Sequence, residues 1–110
     1  MVDLHVHTKY SLLDSTIEPE ELINKLKEQG KKAICITEHG NLYSSVEIYK
    51  LCKENNIKFL HGCEVYICNN INIRDKNNKY YHLILISKNE IGRLNLIKLV
   101  TESNKYKYYG

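Results

Sequence analysis

Ala33-Ile34-Cys35-Ile36-Thr37-Glu38-His39-Gly40-Asn41 is the stretch that decides the fold. Residues 33–37 form a short continuous run, as expected for a strand buried on both faces of a parallel sheet. The run then breaks into an acid, a histidine and a Gly-Asn turn. Outward on the amino-terminal side, Glu18-Pro19-Glu20-Glu21 opens a helix: proline is tolerated in the first turn, and acids there complement the helix dipole. Leu22, Ile23 and Leu26 give that helix an apolar face, and Gly30 stops it. On the other side a second helix is expected from Ser44 to Asn55, with Val46, Tyr49 and Cys52 on one face. Ile57 to Leu60 then begins another strand, which delivers His61, Gly62, Cys63 and Glu64. Val2 to Val6 is a strand candidate at the start of the chain.

Strand, helix, strand, helix, strand is the order of an α/β protein with parallel strands. The remainder reads differently. Val65 to Ile73 extends as an arm, Asn69, Asn70 and residues 75–79 supply turn residues, and Tyr80 to Ser87 returns, making a long hairpin. Asn89 caps a third helix that runs to Glu102, with Ile91, Leu94, Ile97 and Val100 on its apolar side and Gly92 inside it. The end of the chain, Lys105 to Gly110, is basic and rich in tyrosine. It reads as a solvated helix exit in preference to a nucleic-acid contact.

With 110 residues and 43% hydrophobic content, the chain has material for one small folded domain. A net charge of +3 neither demands nor excludes a nucleic-acid partner. No apolar run is long enough to span a bilayer, and Asp3 and His5 stand where a signal peptide would be apolar, so a cytoplasmic location is expected. The four cysteines form no Cys-x-x-Cys pair; Cys35 and Cys52 are expected to be core thiols.

In α/β sheets and barrels, functional groups gather at the carboxyl ends of the strands. His5 and His7 end the first strand, Glu38 and His39 the second, His61 and Glu64 the third. At i and i+2 on a strand, His5 and His7 share a face. His5, His7, His39 and Glu64, joined by Asp14 from the first loop, supply the mixed nitrogen and oxygen donors that zinc, manganese and iron accept. Paired ions held this way cleave phosphoesters. Nothing in the chain has the form of a nucleophile elbow or a phosphate-binding Gly-x-x-x-x-Gly-Lys loop. His61 either points into the site or packs behind it. His82 is either a ligand, if the hairpin brings it beside Glu64, or a strand-packing residue.

These residues resemble a known family. His5-Val6-His7-Thr8, Tyr10-Ser11-Leu12-Leu13-Asp14, Ile36-Thr37-Glu38-His39-Gly40-Asn41, Gly62-Cys63-Glu64-Val65-Tyr66 and Tyr81-His82-Leu83 are similar to the PHP (polymerase and histidinol phosphatase) domain of bacterial DNA polymerase III alpha subunits. The resemblance runs in order along essentially the whole chain. It implies a distorted seven-stranded (β/α)7 barrel with a cluster of two or more divalent ions, zinc first and manganese or iron after it. It implies His5, His7, Asp14, His39, Glu64 and His82 as metal ligands, with His5, His7, His39 and Glu64 carrying catalysis. It further implies a 3′-5′ exonuclease-type phosphoesterase in a DNA-replicating parent, with DNA and the rest of the alpha subunit as partners.

Two departures temper this. Glu38 stands where the family has Asp, which is expected to disturb a contact that orients His39. The family's later cysteine-bearing strand and Asp-x-His motif are absent, and a full barrel takes roughly 250 residues. The expectation is therefore a single incomplete PHP domain over residues 1–110: the first three βα units plus a hairpin arm, prone to self-association and inactive in isolation. A catalytically silent structural or interaction module, and a small-molecule phosphatase of the histidinol phosphatase type, are the competing readings.

Overall fold

A computed structural model describes residues 2–106. Three strands, β1 (Ala33–His39), β2 (Lys58–Cys68) and β3 (Tyr80–Ile86), form one sheet in that order. β1 and β2 are parallel, with Ala33 opposite Lys58 and His39 opposite Glu64. β2 and β3 are antiparallel, with Gly62 opposite Ile86 and Tyr66 opposite His82. The sheet is thus a parallel α/β pair with the expected hairpin added to it.

Helices α1 (Pro19–Glu28) and α2 (Ser45–Glu54) pack on one face of this sheet. Ile23, Leu26, Ile34, Ile36, Ile48, Cys52 and Ile57 form the buried core there. Both helices end the same way. After α1, the Lys31 amide reaches the Leu26 carbonyl at 2.9 Å around Gly30 at φ +67°; after α2, the Ile57 amide reaches Cys52 at 2.9 Å around Asn56 at φ +55°. Each is a Schellman closure, which needs one left-handed residue, and Gly and Asn tolerate that conformation best.

Three expectations change. Residues 2–6 do not form a regular strand. They run beside β1, with Cys35 N donating to Asp3 O at 3.3 Å and Thr37 N to Val6 O at 2.9 Å. Three steps along this segment therefore match two along β1, the count of a β-bulge. The Val6 amide turns to Thr37 Oγ1 at 3.1 Å instead of to a backbone carbonyl.

The apolar face of α2 also differs. Ile48 and Cys52 are buried, while Val46 and Tyr49 are exposed. On α3 (Glu90–Ser103) only Leu96 is buried, while Ile91, Leu94 and Ile97 are exposed. Both helices carry apolar residues around more than one stripe, so periodicity alone does not choose the inward one. Asn89 does cap α3, accepting from Gly92 N at 2.9 Å. Lys105 at the helix exit pairs with Glu102 at 2.8 Å; residues 107–110 of the basic tail lie outside the described residues.

Candidate metal centre

Strand alternation builds the site. His39, Glu64, Tyr66 and His82 stand on one face of the sheet, because His39 is opposite Glu64, and Tyr66, two residues on, is opposite His82. This is the face away from Ile34 and Ile36. Gly62 lies on it too, and only glycine fits: an added Cβ would meet Thr37 Cγ2 at 2.7 Å and Cys35 Sγ at 3.0 Å.

Glu64 is the centre of the constellation and is 3% exposed. His5 Nε2 lies 2.8 Å and His7 Nε2 2.7 Å from its Oε2. His82 Nδ1 is in close contact with Oε1, and His39 Nδ1 stands 3.6 Å from Oε2. Asp14 closes the other side: it contacts His7 Nδ1 and lies 3.1 Å from His39 Nε2. Burial pushes the Glu64 carboxyl upward, but its bonds with His5, His82 and His7 and the charge of His39 outweigh that and hold it at about 2. The Asp14 carboxyl is held below its usual range, chiefly by the bond to His7.

All six sequence-derived candidates, His5, His7, Asp14, His39, Glu64 and His82, are therefore brought together. Their donor atoms fall into three overlapping groups, His5/His7/Glu64, His7/Asp14/His39 and His39/Glu64/His82, each within 4.8 Å of one another. His7 turns both ring nitrogens toward carboxylates, which hydrogen bonding alone satisfies only with a doubly protonated ring. A divalent cation needs converging nitrogen and oxygen donors, with an edge of about 3.3 Å in a tetrahedral zinc site. The donor set and its spacing fit that requirement.

His61 does not join. Three residues from Glu64, it falls on the opposite face of β2, where its ring lies against Phe59 at 4.5 Å and Tyr49 at 6.5 Å. Burial there, reinforced by the charge of Arg93, lowers its pKa. It lines a groove of about 940 Å³ between α2 and α3.

Two features escaped the sequence reading. The Tyr66 hydroxyl lies 3.2 Å from His39 Nδ1, with the rings parallel. Glu38 does not touch the His39 ring, contrary to the expectation. It is 1% exposed, and accepts from the Thr8 amide at 2.9 Å, from Thr8 Oγ1, from Ser11 Oγ and from Ser44 Oγ at 3.2 Å. The signal available for Tyr66 was its place two residues after Glu64 on one strand. For Glu38 little local signal existed, since Ser44 alone is near it in the chain and its other partners, Ser11 and Thr8, lie 27 and 30 residues upstream.

Fold and site together define an α/β protein with histidines and carboxylates gathered over one sheet face: His39 ends β1 as expected, whereas Glu64 and His82 lie inside β2 and β3, and His5, His7 and Asp14 come from the irregular first segment and loop. A profile of the PHP domain matches residues 3–110, and the chain belongs to that family. It is 42% identical over 119 residues to the DNA polymerase III subunit alpha of Aquifex aeolicus, covering 98% of this chain and 10% of that one. With the subunit of Campylobacter jejuni it shares 41% over 101 residues, covering 91% and 8%. The chain thus spans a tenth or less of the length of these relatives.

Among solved structures, an amidohydrolase from Chromobacterium violaceum superposes with a TM-score of 0.61 at 20% identity, covering 88% of this chain and 32% of that one. A Bifidobacterium adolescentis protein assigned as a metal-dependent phosphoesterase superposes at 0.62 and 21% identity, with the same coverage. These likenesses establish the fold.

Proposed function

We propose that the chain is part of the PHP domain of a bacterial DNA polymerase III alpha subunit, and that its histidine–carboxylate cluster is a divalent-metal centre for phosphoester hydrolysis of the 3′-5′ exonuclease kind. The observation that carries this reading is Glu64, a buried carboxylate faced by His5, His7, His39 and His82. Zinc suits four imidazoles and two carboxylates best, with manganese and iron as alternatives. When bound, such ions supply the positive charge that polarises a phosphoester and acidifies water.

The chain's own residues do the rest. Glu64 would hold such an ion from the sheet, and His5, His7, His39 and His82 would hold it through their ring nitrogens. Tyr66 orients the His39 ring through its hydroxyl, as outer groups do for ligating histidines. The partners are the remaining parts of the alpha subunit and, through it, DNA, in the bacterial cytoplasm. No helix among the described residues is long and apolar enough to cross a membrane.

The test is metal content and nuclease activity together. Zinc or manganese bound stoichiometrically, lost in a His5→Ala/His7→Ala chain, with metal-dependent shortening of a primed strand by the domain in its parent, would support the reading. A folded wild-type chain that binds no divalent metal would contradict it.

A second reading, an association module without chemistry, is favoured by one observation. Ile91, Leu94 and Ile97 of α3 and Leu83 and Ile86 of β3 are left uncovered. Large apolar side chains left exposed on a helix and an edge strand suit contact with further polypeptide. Activity of the parent abolished by His5→Ala/His7→Ala would decide against this reading.

A further inference from the structure

Five of the six candidate ligands reach the centre from the sheet or from the segment hydrogen-bonded along it. Glu64 and His82 lie on paired strands, His39 ends β1, and His5 and His7 flank Val6, whose carbonyl is bonded to β1. Asp14 has no such support. It sits on the loop of residues 8–15, which is held by Ser15 Oγ donating to His7 O at 3.0 Å, by Asn41 Nδ2 donating to Tyr10 O at 3.2 Å, and by a buried carboxylate on the other face of the sheet.

Glu38 Oε1 takes the Thr8 amide and hydroxyl, and Oε2 takes the Ser11 hydroxyl. Ser11 Oγ in turn accepts from the His39 amide at 3.1 Å. The Ser11 amide donates to Thr8 O at 2.9 Å, and the Ser11 carbonyl accepts from the amides of Asp14 at 3.1 Å and Ser15 at 3.2 Å. Asp14 therefore hangs from the carbonyl of a residue whose hydroxyl is fastened to Glu38. Between them Leu13 adopts φ +66° with its side chain in solvent, a conformation disfavoured for leucine. Intrinsic preference does not produce this turn; the hydrogen bonds around it do, and among them the Glu38 clamp is the one fastened to Ser11, whose carbonyl holds the Asp14 amide.

We propose that Glu38 is a positioning residue for Asp14, setting the cation affinity of the His7/Asp14/His39 group selectively and leaving the two groups built on Glu64 untouched. The inference rests on the metal reading above. Glu38 touches none of the candidate ligand side chains; it acts through Thr8 and Ser11.

Zinc titration of the full 110-residue chain by calorimetry, with zinc per chain counted after gel filtration, tests this. Asp14→Ala defines what loss of the one group looks like. Glu38→Gln puts an amide donor against the Ser11 hydroxyl, and Ser11→Ala cuts the link while leaving Thr8 and Ser44 on the carboxylate. Both are expected to weaken the same class of zinc as Asp14→Ala, by about 10- to 100-fold, the usual effect of removing an outer-shell partner. The remaining zinc should bind as in wild type. Glu38→Asp keeps both acceptor oxygens, and the loop, having no strand of its own, follows the shorter side chain; it should restore binding.

Variants that bind zinc like wild type, or that lose every class in parallel while still folded by circular dichroism, would overturn the inference. Should Glu38→Gln fail to fold, Ser11→Ala carries the test. A wild-type chain without zinc would overturn the metal reading and this inference with it. Wild-type binding with indifferent variants would overturn this inference alone.

Discussion

Glu38 and Glu64 are both glutamates, both almost wholly buried, and both lie at the last two registers of the β1–β2 pairing, yet they do opposite work. Glu38 faces the helix side and is surrounded by an amide and three hydroxyls, donors that satisfy a carboxylate completely. Glu64 faces away from that side and is surrounded by four imidazoles, which satisfy it only by carrying protons or by sharing a cation with it. Burial of a carboxylate is therefore not what marks a metal centre. The chemistry of the groups turned toward it is, and the parity of the strand decides which groups those are.

The largest effect that would break this comparison is on metal affinity. Glu64→Gln removes the oxygen shared by the His5, His7 and His39 contacts, and zinc affinity should fall by more than about 100-fold, beyond the range for an outer-shell change. A Glu64→Gln chain that holds zinc as tightly as wild type would place Glu64 with Glu38, among structural carboxylates.

The converse substitution should act on stability. Glu38→Ala leaves the Thr8 amide and the hydroxyls of Thr8, Ser11 and Ser44 without their acceptor inside the protein. At about 1–3 kcal/mol for each of these four buried groups left unpaired, the metal-free chain should lose at least about 4 kcal/mol, read by urea unfolding. A loss below about 1 kcal/mol would mean that water replaces the carboxylate and the clamp is loose.

Cys63 sharpens the contrast, since it pairs with Glu38 across the strands and precedes Glu64, yet has neither kind of ring around it. Its Sγ donates to the Glu38 carbonyl at 3.4 Å. Burial pushes its thiol, like those of Cys35 and Cys52, from 9.0 up to about 11. The raised value favours the neutral thiol in the folded chain. Stability from this source is complete below pH 9.0 and is lost as pH rises through about 11. The loss across that window is of order 2–3 kcal/mol per thiol. Cys63→Ala should make the alkaline loss measured by urea unfolding smaller, and an unchanged loss would mean that this thiol does not contribute.

Much of this was legible in the sequence because strand ends announce themselves. The run from Ala33 into Glu38-His39-Gly40, the Gly30 stop and the Asn89 cap each follow from local chemistry, and each was found where expected. His82 followed once the hairpin register was known, because Tyr66 pairs with it. Parity would also have settled His61, three residues from Glu64 and so on the other face. What stayed hidden depended on distance or on choice. Thr8 and Ser11, two of the three residues that hold Glu38, lie a whole helix away in the chain, and α2 and α3 carry more than one apolar stripe, so only packing reveals that Ile48 and Leu96 turn inward. The bulge before Val6 arises from hydrogen bonding to Thr37, which no local pattern encodes.

The central claim is that the imidazoles around Glu64, and not the remaining one, belong to a metal centre. Histidine ring resonances of the 15N-labelled chain, followed by NMR through a zinc titration, test it directly. Of the five histidines, His5, His7, His39 and His82 should shift together as zinc is added, while His61 stays in place. Five unmoved rings, or a His61 that moves with the rest, would contradict the account.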